Sequence, residues 1–532
     1  MIQAAEIVFL TMLLFVVIFA ALARKLQTPY PIVLVVAGLI LGFVPGIPRI
    51  PLNPDVIFLL VLPPLLYSAA WLTSWREFRF NLVSILLLAF GLVGFTVLGV
   101  AYTAHWLFAG FDMRLGFVLG AVVATTDAIA ATAIFKRVGL PKAIVDILQG
   151  ESLMNDATGL LALEFAVAMV VNGQTPSVGS GVLRLTYLIV AGIAIGLVVG
   201  LLVKWIEPNI DDGPIEIVIS ILIPYSVYLA AELVHASGVM AVVACGLYLS
   251  RQSSQLFSAS VRLQTWAVWD SMTFAINGLV FVLIGLQLPY VLAGIREYGV
   301  RQLVLYGVLF SVIVIVLRLL WMYPGAYFAY FIRSRILHQN NPRPSTKQIF
   351  VVGWTGMRGV VALAAAISLP EIMANGSEFP ERNLIVFLTF SVIFVTLVLQ
   401  GLTLPPLIRM LGLAAGHGSD ADEEQEARRI ITSTALAHLE EARGQDVSDF
   451  DLVYDDIARR YARRLASLTK EGSEGDAMSN KELQRYRTIL EELLPLERKT
   501  AVRLRNEGRI NDEVLRKIEH ELDLSESRLA LS

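Results

Sequence analysis

The sequence predicts an all-α polytopic membrane protein with a soluble helical domain at its C-terminus. Apolar side chains make up 56% of the 532 residues and charged ones only 16%, and the mean hydropathy is +0.67. This is too hydrophobic for a soluble globular protein. Long apolar stretches, each sufficient to cross a bilayer, recur until about Leu413, after which charged residues become frequent.

Thirteen apolar stretches are separated by short loops that carry charge, Pro and Gly. The first ends in Ala21-Leu22-Ala23, which resembles a signal-peptidase site, but no Lys or Arg precedes it, so we interpret it as a retained helix. The boundary between the eighth and ninth stretches depends on the loop His235–Gly238, and without it the count is twelve. The predicted spans lie near 4–23, 30–47, 54–73, 80–107, 115–135, 144–171, 184–206, 214–235, 238–250, 264–289, 301–332, 348–369 and 383–410.

The basic residues of the loops predict the orientation. One set of loops carries fifteen, and the alternate set carries only six. Cytoplasmic loops are the Lys- and Arg-rich ones, so we expect an external N-terminus and a cytoplasmic C-terminus in the inner or plasma membrane. The fifteen are Arg24, Lys25, Arg76, Arg79, Lys136, Arg137, Lys142, Lys204, Arg251, Arg262, Arg333, Arg335, Arg343, Lys347 and Arg409; the six are Arg49, Arg114, Arg184, Arg296, Arg301 and Arg382.

The composition divides the chain into a transmembrane unit (1–412), a linker (413–427) and a cytoplasmic helical domain (428–532). The linker is polar and acidic. The helical domain is rich in Arg, Glu and Asp, and in its last part apolar residues recur at helical spacing. Two readings stay open for this domain: a solvated, self-associating tail or a regulatory element. The predicted apolar face comprises Ile510, Val514, Ile518 and Leu522.

The segment Gly150–Gly159 carries the strongest chemical signal, because it places two carboxylates, a hydroxyl and an amide inside a predicted span. Residues four apart share a helix face, so Ser152 lies beside Asp156 and Glu151 beside Asn155. A charge at the bilayer centre costs about 3 kcal/mol on insertion scales and indicates an ion or proton pathway. A carboxylate can exchange a hard cation for a proton. The alternative is a polar contact between helices.

A second polar group, Thr126-Asp127, lies midway through the fifth predicted span. Small residues let helix backbones approach closely, and interrupted helices at the bilayer midplane build the sites of many transporters. Asp127 is therefore either a direct cation ligand or a partner for the dipoles of an interrupted helix. The small residues around it are Gly116, Gly120, Ala121, Ala124, Ala128, Ala130, Ala131 and Ala133.

The twelfth predicted span contains Arg358, which keeps its charge and therefore needs a carboxylate within lipid. Glu151 is the predicted partner, in a pair that holds two helices together. Gly356 and Gly359 indicate a second broken or tightly packed helix. The fifth span, in the opposite half of the chain, is likewise predicted to be interrupted, as an inverted repeat requires.

The other charges inside predicted spans give weaker signals. Glu164 either lines an outer funnel or faces a neighbouring helix. Glu216 and Asp270 lie near span ends, where we expect them to reach the interface. Arg318 and Lys204 are expected to pair with acids or to extend to the interface.

Several functional classes find no support. No Walker loop or zinc motif occurs, the net charge is −3, and no basic block points to nucleic acid, so we expect neither ATP nor nucleic acid as a partner. The six histidines form no ligand cluster, and the single Cys245 is expected to be a packing residue. Gly192, Gly196 and Gly200 form a small-residue ridge that packs within the subunit or between two subunits.

Four motifs together resemble the monovalent cation–proton antiporters, in the branch that contains bacterial Na⁺/H⁺ antiporters and animal sodium/proton exchangers. The resemblance covers roughly 1–412, and the tail segment Gly508–Arg516 is similar to the cytoplasmic end of bacterial members. The four motifs are Ala124–Asp127, Lys136–Pro141, Gly150–Ala157 and Gly356–Gly359.

The resemblance implies thirteen helices in two inverted repeats with crossed broken helices, divided into dimerisation and core parts. It implies that Asp156 alternately binds a proton and the cation, with Thr126, Asp127 and Ser152 completing the shell. Asn155 stands where electrogenic relatives carry a second aspartate, so an electroneutral one-to-one exchange follows.

The resemblance also makes the Glu151–Arg358 pair a structural bridge. Ala128 stands where members often have Pro, which bears on how the helix is interrupted.

These observations predict a secondary active antiporter, not an enzyme, that exchanges Na⁺ for H⁺ as a homodimer without a cofactor. K⁺ and Li⁺ are alternative cations, because oxygen ligands suit all three. Two alternative functions are a cation channel with a cytoplasmic gating domain, and a membrane sensor whose transporter-like core only binds ions.

Overall fold

The structure is a computed structural model, and its two compact units are Met1–Ala415 and Gly416–Ser532. Among the described residues all regular elements are helical, apart from an isolated bridge between Ile372 and Glu378. The described residues are 2–44, 53–108, 110–127, 131–132, 140–173, 177–210, 212–256, 259–295, 298–339, 343–373, 376–413, 418–445 and 451–468, with scattered positions from 493 to 524.

The described part of the first unit contains fourteen helices. In chain order they are α1 (Ile2–Lys25), α2 (Tyr30–Gly42), α3 (Pro54–Leu72), α4 (Trp75–Leu107), α5 (Met113–Ala124), α6 (Lys142–Asn172), α7 (Val178–Ile206), α8 (Gly213–Leu233), α9 (Gly238–Leu256), α10 (Ala259–Ala293), α11 (Val300–Ile336), α12 (Thr346–Trp354), α13 (Val360–Ile367) and α14 (Arg382–Leu411).

Eight helices in the described part of the chain are long and apolar enough to cross a membrane, and α2 and α5 are shorter apolar helices. The prediction of an all-helical polytopic protein is therefore confirmed, while the total of thirteen spans stays a prediction. Several helices exceed their predicted bounds: α4 begins at Trp75 and α9 continues to Leu256. An apolar window marks the hydrocarbon core, whereas the backbone hydrogen bonds of a helix continue into the interface.

The predicted loop between the eighth and ninth spans is present. Helix α8 ends at Leu233, and His235 adopts a left-handed conformation with φ of 52°. The amide of Ala236 then donates to the carbonyl of Ala231 at 2.9 Å, which satisfies an orphan carbonyl at the helix end. The chain reverses here, and α9 begins at Gly238.

Two hydrophobic clusters form the core of the first unit, and α6 joins them. Leu148 and Leu163 of α6 belong to the larger cluster, with residues of α5, α10, α11 and α14. Leu153 and Met154 belong to the smaller cluster, with residues of α3, α4, α7, α8 and α9. The polar residues of α6 therefore lie on a helix that contacts both halves of the core.

The predicted glycine ridge packs inside the subunit. A Cβ atom added to Gly196 would collide with the backbone carbonyl of Ala241 on α9, and one added to Gly192 would meet the carbonyl of Ser237. The ridge therefore brings the backbones of α7 and α9 into direct contact.

The second unit contains α15 (Gly418–Gln445) and α16 (Asp451–Leu468). An ion pair joins Arg443 Nη1 to Asp455 Oδ1 at 2.9 Å. The predicted linker 413–427 is helical from Gly418 onward, so its acidic residues occupy the first turns of α15. Of the predicted apolar face, Ile518 and Leu522 are described, both as helical, whereas 510 and 514 lie outside the described residues.

Candidate functional site

The first half of the site is the chain that leaves α5. Helix α5 ends at Ala124, and Thr125 is extended, with φ of −67° and ψ of 141°. The amide of Asp127 donates to the carbonyl of Met357 at 2.8 Å. The predicted interruption at Thr126-Asp127 is confirmed, and it occurs without a proline at the next position; Ala128 itself lies outside the described residues.

The second half is the unwound segment Thr355–Gly359 between α12 and α13. Its carbonyl at Met357 accepts the Asp127 amide, so the two unwound segments touch at this point. Gly359 permits the close approach: a Cβ atom there would overlap the Asp127 carboxylate. Two interrupted helices therefore meet in the interior, as an inverted repeat of broken helices requires.

Charged side chains lie at the helix ends that the interruptions create, where backbone groups lack partners within the helix. Arg358 Nε donates to the carbonyl of Val123 at 3.1 Å, in the last turn of α5. Arg318 of α11 donates to the carbonyls of Gly353 at 3.1 Å and Val352 at 3.2 Å, in the last turn of α12. The Asp127 carboxylate lies against Gly359, directly before α13. Cations thus lie at two helix C-termini and an anion at an N-terminus, which suits the helix dipoles.

Glu151 forms a bidentate ion pair with Arg318. Its Oε1 and Oε2 lie 2.5 Å and 2.9 Å from Arg318 Nη1 and Nη2, and both side chains are 1% exposed. The predicted pair of Glu151 with Arg358 is therefore wrong. Arg358 reaches along its own unwound segment to the end of α5, whereas Arg318 on α11 faces Glu151 from across the core.

Thr126 connects the unwound segment to α6. Its hydroxyl donates to Glu151 Oε1 at 3.1 Å and accepts from Asn155 Nδ2 at 2.5 Å, and its carbonyl accepts from Ser152 Oγ at 3.0 Å. All four residues were predicted to belong to the site, and the structure brings them together. The Asn155 Oδ1 atom is buried and has no hydrogen-bond partner among the described residues.

Asp156 lies one residue beyond this network. Its side chain is 5% exposed, and it interacts electrostatically with Asp127. None of the ion pairs among the described residues involves Asp156. The buried acids Glu151 and Asp156 thus differ: Glu151 is held by an arginine, and Asp156 forms no ion pair among the described residues.

The structure also places residues that the sequence did not single out. Tyr30 of α2 interacts electrostatically with both Asp127 and Asp270, and its ring packs against Phe274 at 5.6 Å. A lone tyrosine at the start of an apolar stretch does not indicate, from the sequence, that it lies near Asp127.

The weaker sequence expectations are resolved individually. Glu164 faces a neighbouring helix, 3.8 Å from Arg184, and Asp270 is exposed. Glu216 is only 4% exposed, so the expectation that it reaches the interface is wrong; it points into the protein where α8 begins. Lys204 Nζ contacts the Gln252 amide oxygen at 3.3 Å.

Comparison with known proteins agrees with this geometry. The family profile described as "Sodium/hydrogen exchanger, transmembrane" matches residues 11–410. An uncharacterized Na(+)/H(+) exchanger of Mycobacterium tuberculosis is 33% identical over 521 residues, 97% of this chain and 94% of the relative. A Bacillus pumilus protein named "Sodium, potassium, lithium and rubidium/H(+) antiporter" is 32% identical over 456 residues, 83% of this chain and 66% of that relative.

Among solved structures, the sodium proton antiporter MjNhaP1 from Methanocaldococcus jannaschii has the same fold. The match has a TM-score of 0.58 at 20% identity and covers 77% of this chain and 99% of that one. The profile match, the full-length relatives and the shared fold lead to one conclusion. This chain belongs to the sodium/hydrogen exchanger family of membrane transporters.

Proposed function

We propose that the protein exchanges Na⁺ for H⁺ across the cytoplasmic membrane, with the two ions competing for Asp156. The observation that carries the proposal is a buried carboxylate, next to two unwound segments that meet, with no ion pair among the described residues. An uncompensated charge in this position is unfavourable unless a proton or a cation neutralises it. The Bacillus pumilus relative is named as an antiporter of potassium and lithium as well as sodium, which supports K⁺ and Li⁺ as alternative substrates.

The neighbouring oxygen atoms support a cation in this position. Ser152 donates its proton to the Thr126 carbonyl, which holds its hydroxyl oxygen beside the unwound segment. The buried Asn155 Oδ1 is a further oxygen without a hydrogen-bond partner among the described residues. The Thr126 hydroxyl is already engaged as donor and acceptor, so we infer that it positions Glu151 and Asn155. Asp127 is the second acidic ligand of the proposed site.

The charge balance supports one proton exchanged per cation. The Asp127 carboxylate lies at the start of α13, where the helix N-terminus offsets its charge, and Arg318 offsets that of Glu151. Among the acids of the proposed site, Asp156 is the one that neither an ion pair nor a helix N-terminus offsets in the described part of the chain, and one proton or one monovalent cation neutralises it. The exchange is therefore electroneutral.

Alternating access follows from this neutralisation. A residual cost of about 3 kcal/mol for an empty, ionised site makes its conformational transition about a hundred-fold rarer than that of the neutral site. Uncoupled leak is then about a hundred-fold slower than exchange, and no ATP is needed. Under an inward proton gradient the protein exports Na⁺ and contributes to pH homeostasis. We place the N-terminus outside, the helical unit in the cytoplasm, and the protein in a homodimer.

Purified protein in proteoliposomes tests this proposal. Collapse of an imposed pH gradient is measured after Na⁺, K⁺ and Li⁺ are added separately. Asp156→Asn should abolish exchange, whereas the matched control Glu164→Gln, an acid that is 57% exposed, should retain it. Full activity of Asp156→Asn would refute the assignment. A steady cation current without proton movement would identify a channel, and binding without any flux would identify a sensor.

A further inference from the structure

A cavity at the start of α4 is lined by three arginines from two helices. Arg76 and Arg79 belong to the first turns of α4, and Arg251 lies near the end of α9. All three residues are exposed, and none of them forms an ion pair with another described residue. In both helices the arginines directly border an apolar stretch. The cavity therefore lies where the membrane meets water.

The residues around this cavity carry a net positive charge. Glu77 is the one acid among the described lining residues, so the lining has a formal charge of +2. Arg333 of α11, only 7% exposed, adds a further positive charge behind the wall. Its Nε donates to Gln339 Oε1 at 3.0 Å, and its guanidinium lies 4.5 Å from the centre of the Phe80 ring. Gln339 and Phe80 both line the cavity, so the buried arginine holds part of its wall in place.

The chemistry of the lining suits a phosphate ester. Several like charges around one cavity repel one another, and a bound anion relieves that repulsion. Arginine binds phosphate oxygens through two parallel N–H···O bonds. The cavity volume of about 520 Å³ lies in the range of small-molecule sites and leaves room for a substituent on the phosphate. Trp75 and Phe80, each 41% exposed, offer apolar surface to that substituent.

The two helices that supply the arginines have no polar contact with each other among the described residues. Ser250 and Gln252 of α9 contact α3 and α7, and Asn81 of α4 contacts α11. Helix α4 also packs closely on α6, because a Cβ atom added to Gly150 would collide with Ile85. An anion that contacts the arginines of both helices therefore joins α9 to a helix that packs against the ion site.

We propose that this cavity binds an anionic phosphate ester, and that the bound anion bridges α4 and α9 and slows exchange. Basic pockets between helices at the membrane surface bind the phosphates of lipid headgroups, and a soluble phosphate offers the same chemistry. The effect on exchange rests on the proposed function, because alternating access requires the helices around Asp156 to move. The binding itself does not.

Binding is measured as a shift in the thermal unfolding midpoint of the purified protein. The probes are inorganic phosphate and a short-chain phosphatidylglycerol at constant ionic strength, with short-chain phosphatidylcholine as the zwitterionic control. At least one of the two anions should raise the midpoint in a saturable manner. Saturation by inorganic phosphate supports a soluble ligand, and saturation by the lipid alone supports a headgroup. No saturable rise with either anion, or an equal rise with phosphatidylcholine, would overturn the inference.

Substitutions locate the bound anion. Arg76→Gln on α4 and Arg251→Gln on α9 should each raise the dissociation constant about tenfold or more, because each removes charge-assisted hydrogen bonds. The control Arg409→Gln removes an exposed arginine at the end of α14 that does not line the cavity, so it should bind as the wild type does. Asp156→Asn should also bind normally, since binding needs no transport. Equal weakening by Arg409→Gln would show a response to overall charge and would overturn the site.

Exchange in proteoliposomes tests the bridge. Phosphatidylcholine vesicles are compared with and without phosphatidylglycerol or inorganic phosphate, present on both membrane faces at equal ionic strength. At saturating Na⁺ the anion should slow the wild type and Arg409→Gln about fivefold or more, and should leave Arg251→Gln unaffected. An unchanged wild-type rate despite binding would overturn the bridge and leave the proposed function intact. Binding without exchange under any condition would refute the proposed function and support the anion site alone.

Discussion

Removing one partner of the Glu151–Arg318 pair should destabilise the first unit strongly. Breaking a buried ion pair leaves an uncompensated charge and costs about 3–5 kcal/mol. Arg318 also donates to the carbonyls of Gly353 and Val352, and each such bond contributes about 1 kcal/mol. Arg318→Met should therefore be more destabilising than Glu151→Gln by about 2 kcal/mol.

A double-mutant cycle measures the coupling. Unfolding free energies of the purified protein are compared for Glu151→Gln, Arg318→Met and the double variant, in which neither position is left charged without its partner. We expect the double variant to recover about 2–3 kcal/mol relative to additive losses. The control is the same cycle with Arg358→Met, which should be closer to additive, because Arg358 donates to Val123 and Gly356.

Two outcomes would contradict this reasoning. Additive losses for Glu151 and Arg318, within about 0.5 kcal/mol, would mean that the bidentate contact does not bridge α6 and α11. A stronger coupling of Glu151 to Arg358 than to Arg318 would restore the partner that the sequence predicted.

Three further substitutions test the site and the packing around it. Gly359→Ala should reduce exchange at least tenfold in proteoliposomes, because the added Cβ collides with the Asp127 carboxylate; wild-type rates would contradict the close approach. Asn155→Asp adds a carboxylate beside the proposed site, so exchange should respond to an imposed membrane potential, and a potential-independent rate would argue against the charge balance. Gly196→Val should destabilise the protein by about 1–3 kcal/mol, because it forces α7 away from the Ala241 backbone; an unchanged thermal melt would exclude this contact.

Local patterns predicted the polar segments of this site well. Asp127 and Asp156 are conspicuous because they interrupt apolar stretches, and small residues around Thr126 indicated where helix α5 would end. The spacing of four residues placed Ser152 and Asp156 on the same face of α6. Each of these inferences depends on residues close together in the chain.

The pairing of buried charges was not predictable in the same way. The sequence paired Glu151 with Arg358 because an arginine within lipid needs a carboxylate, whereas the structure pairs Glu151 with Arg318. The choice depends on how α11 lies against α6, over a separation of 167 residues. Glu216 illustrates the same limit, because its burial depends on the neighbours of α8 and not on its distance from a span end.

The sequence by itself determined that the chain is a helical membrane protein, where most of its helices run, and which acids lie within them. These properties follow from hydrophobic periodicity and from the cost of placing charge in lipid. Only the tertiary structure decided that Arg318 holds Glu151, while Asp156 forms no ion pair among the described residues. That distinction arises from contacts between distant helices, because a buried carboxylate is fixed or exchangeable according to the side chains that face it from other elements.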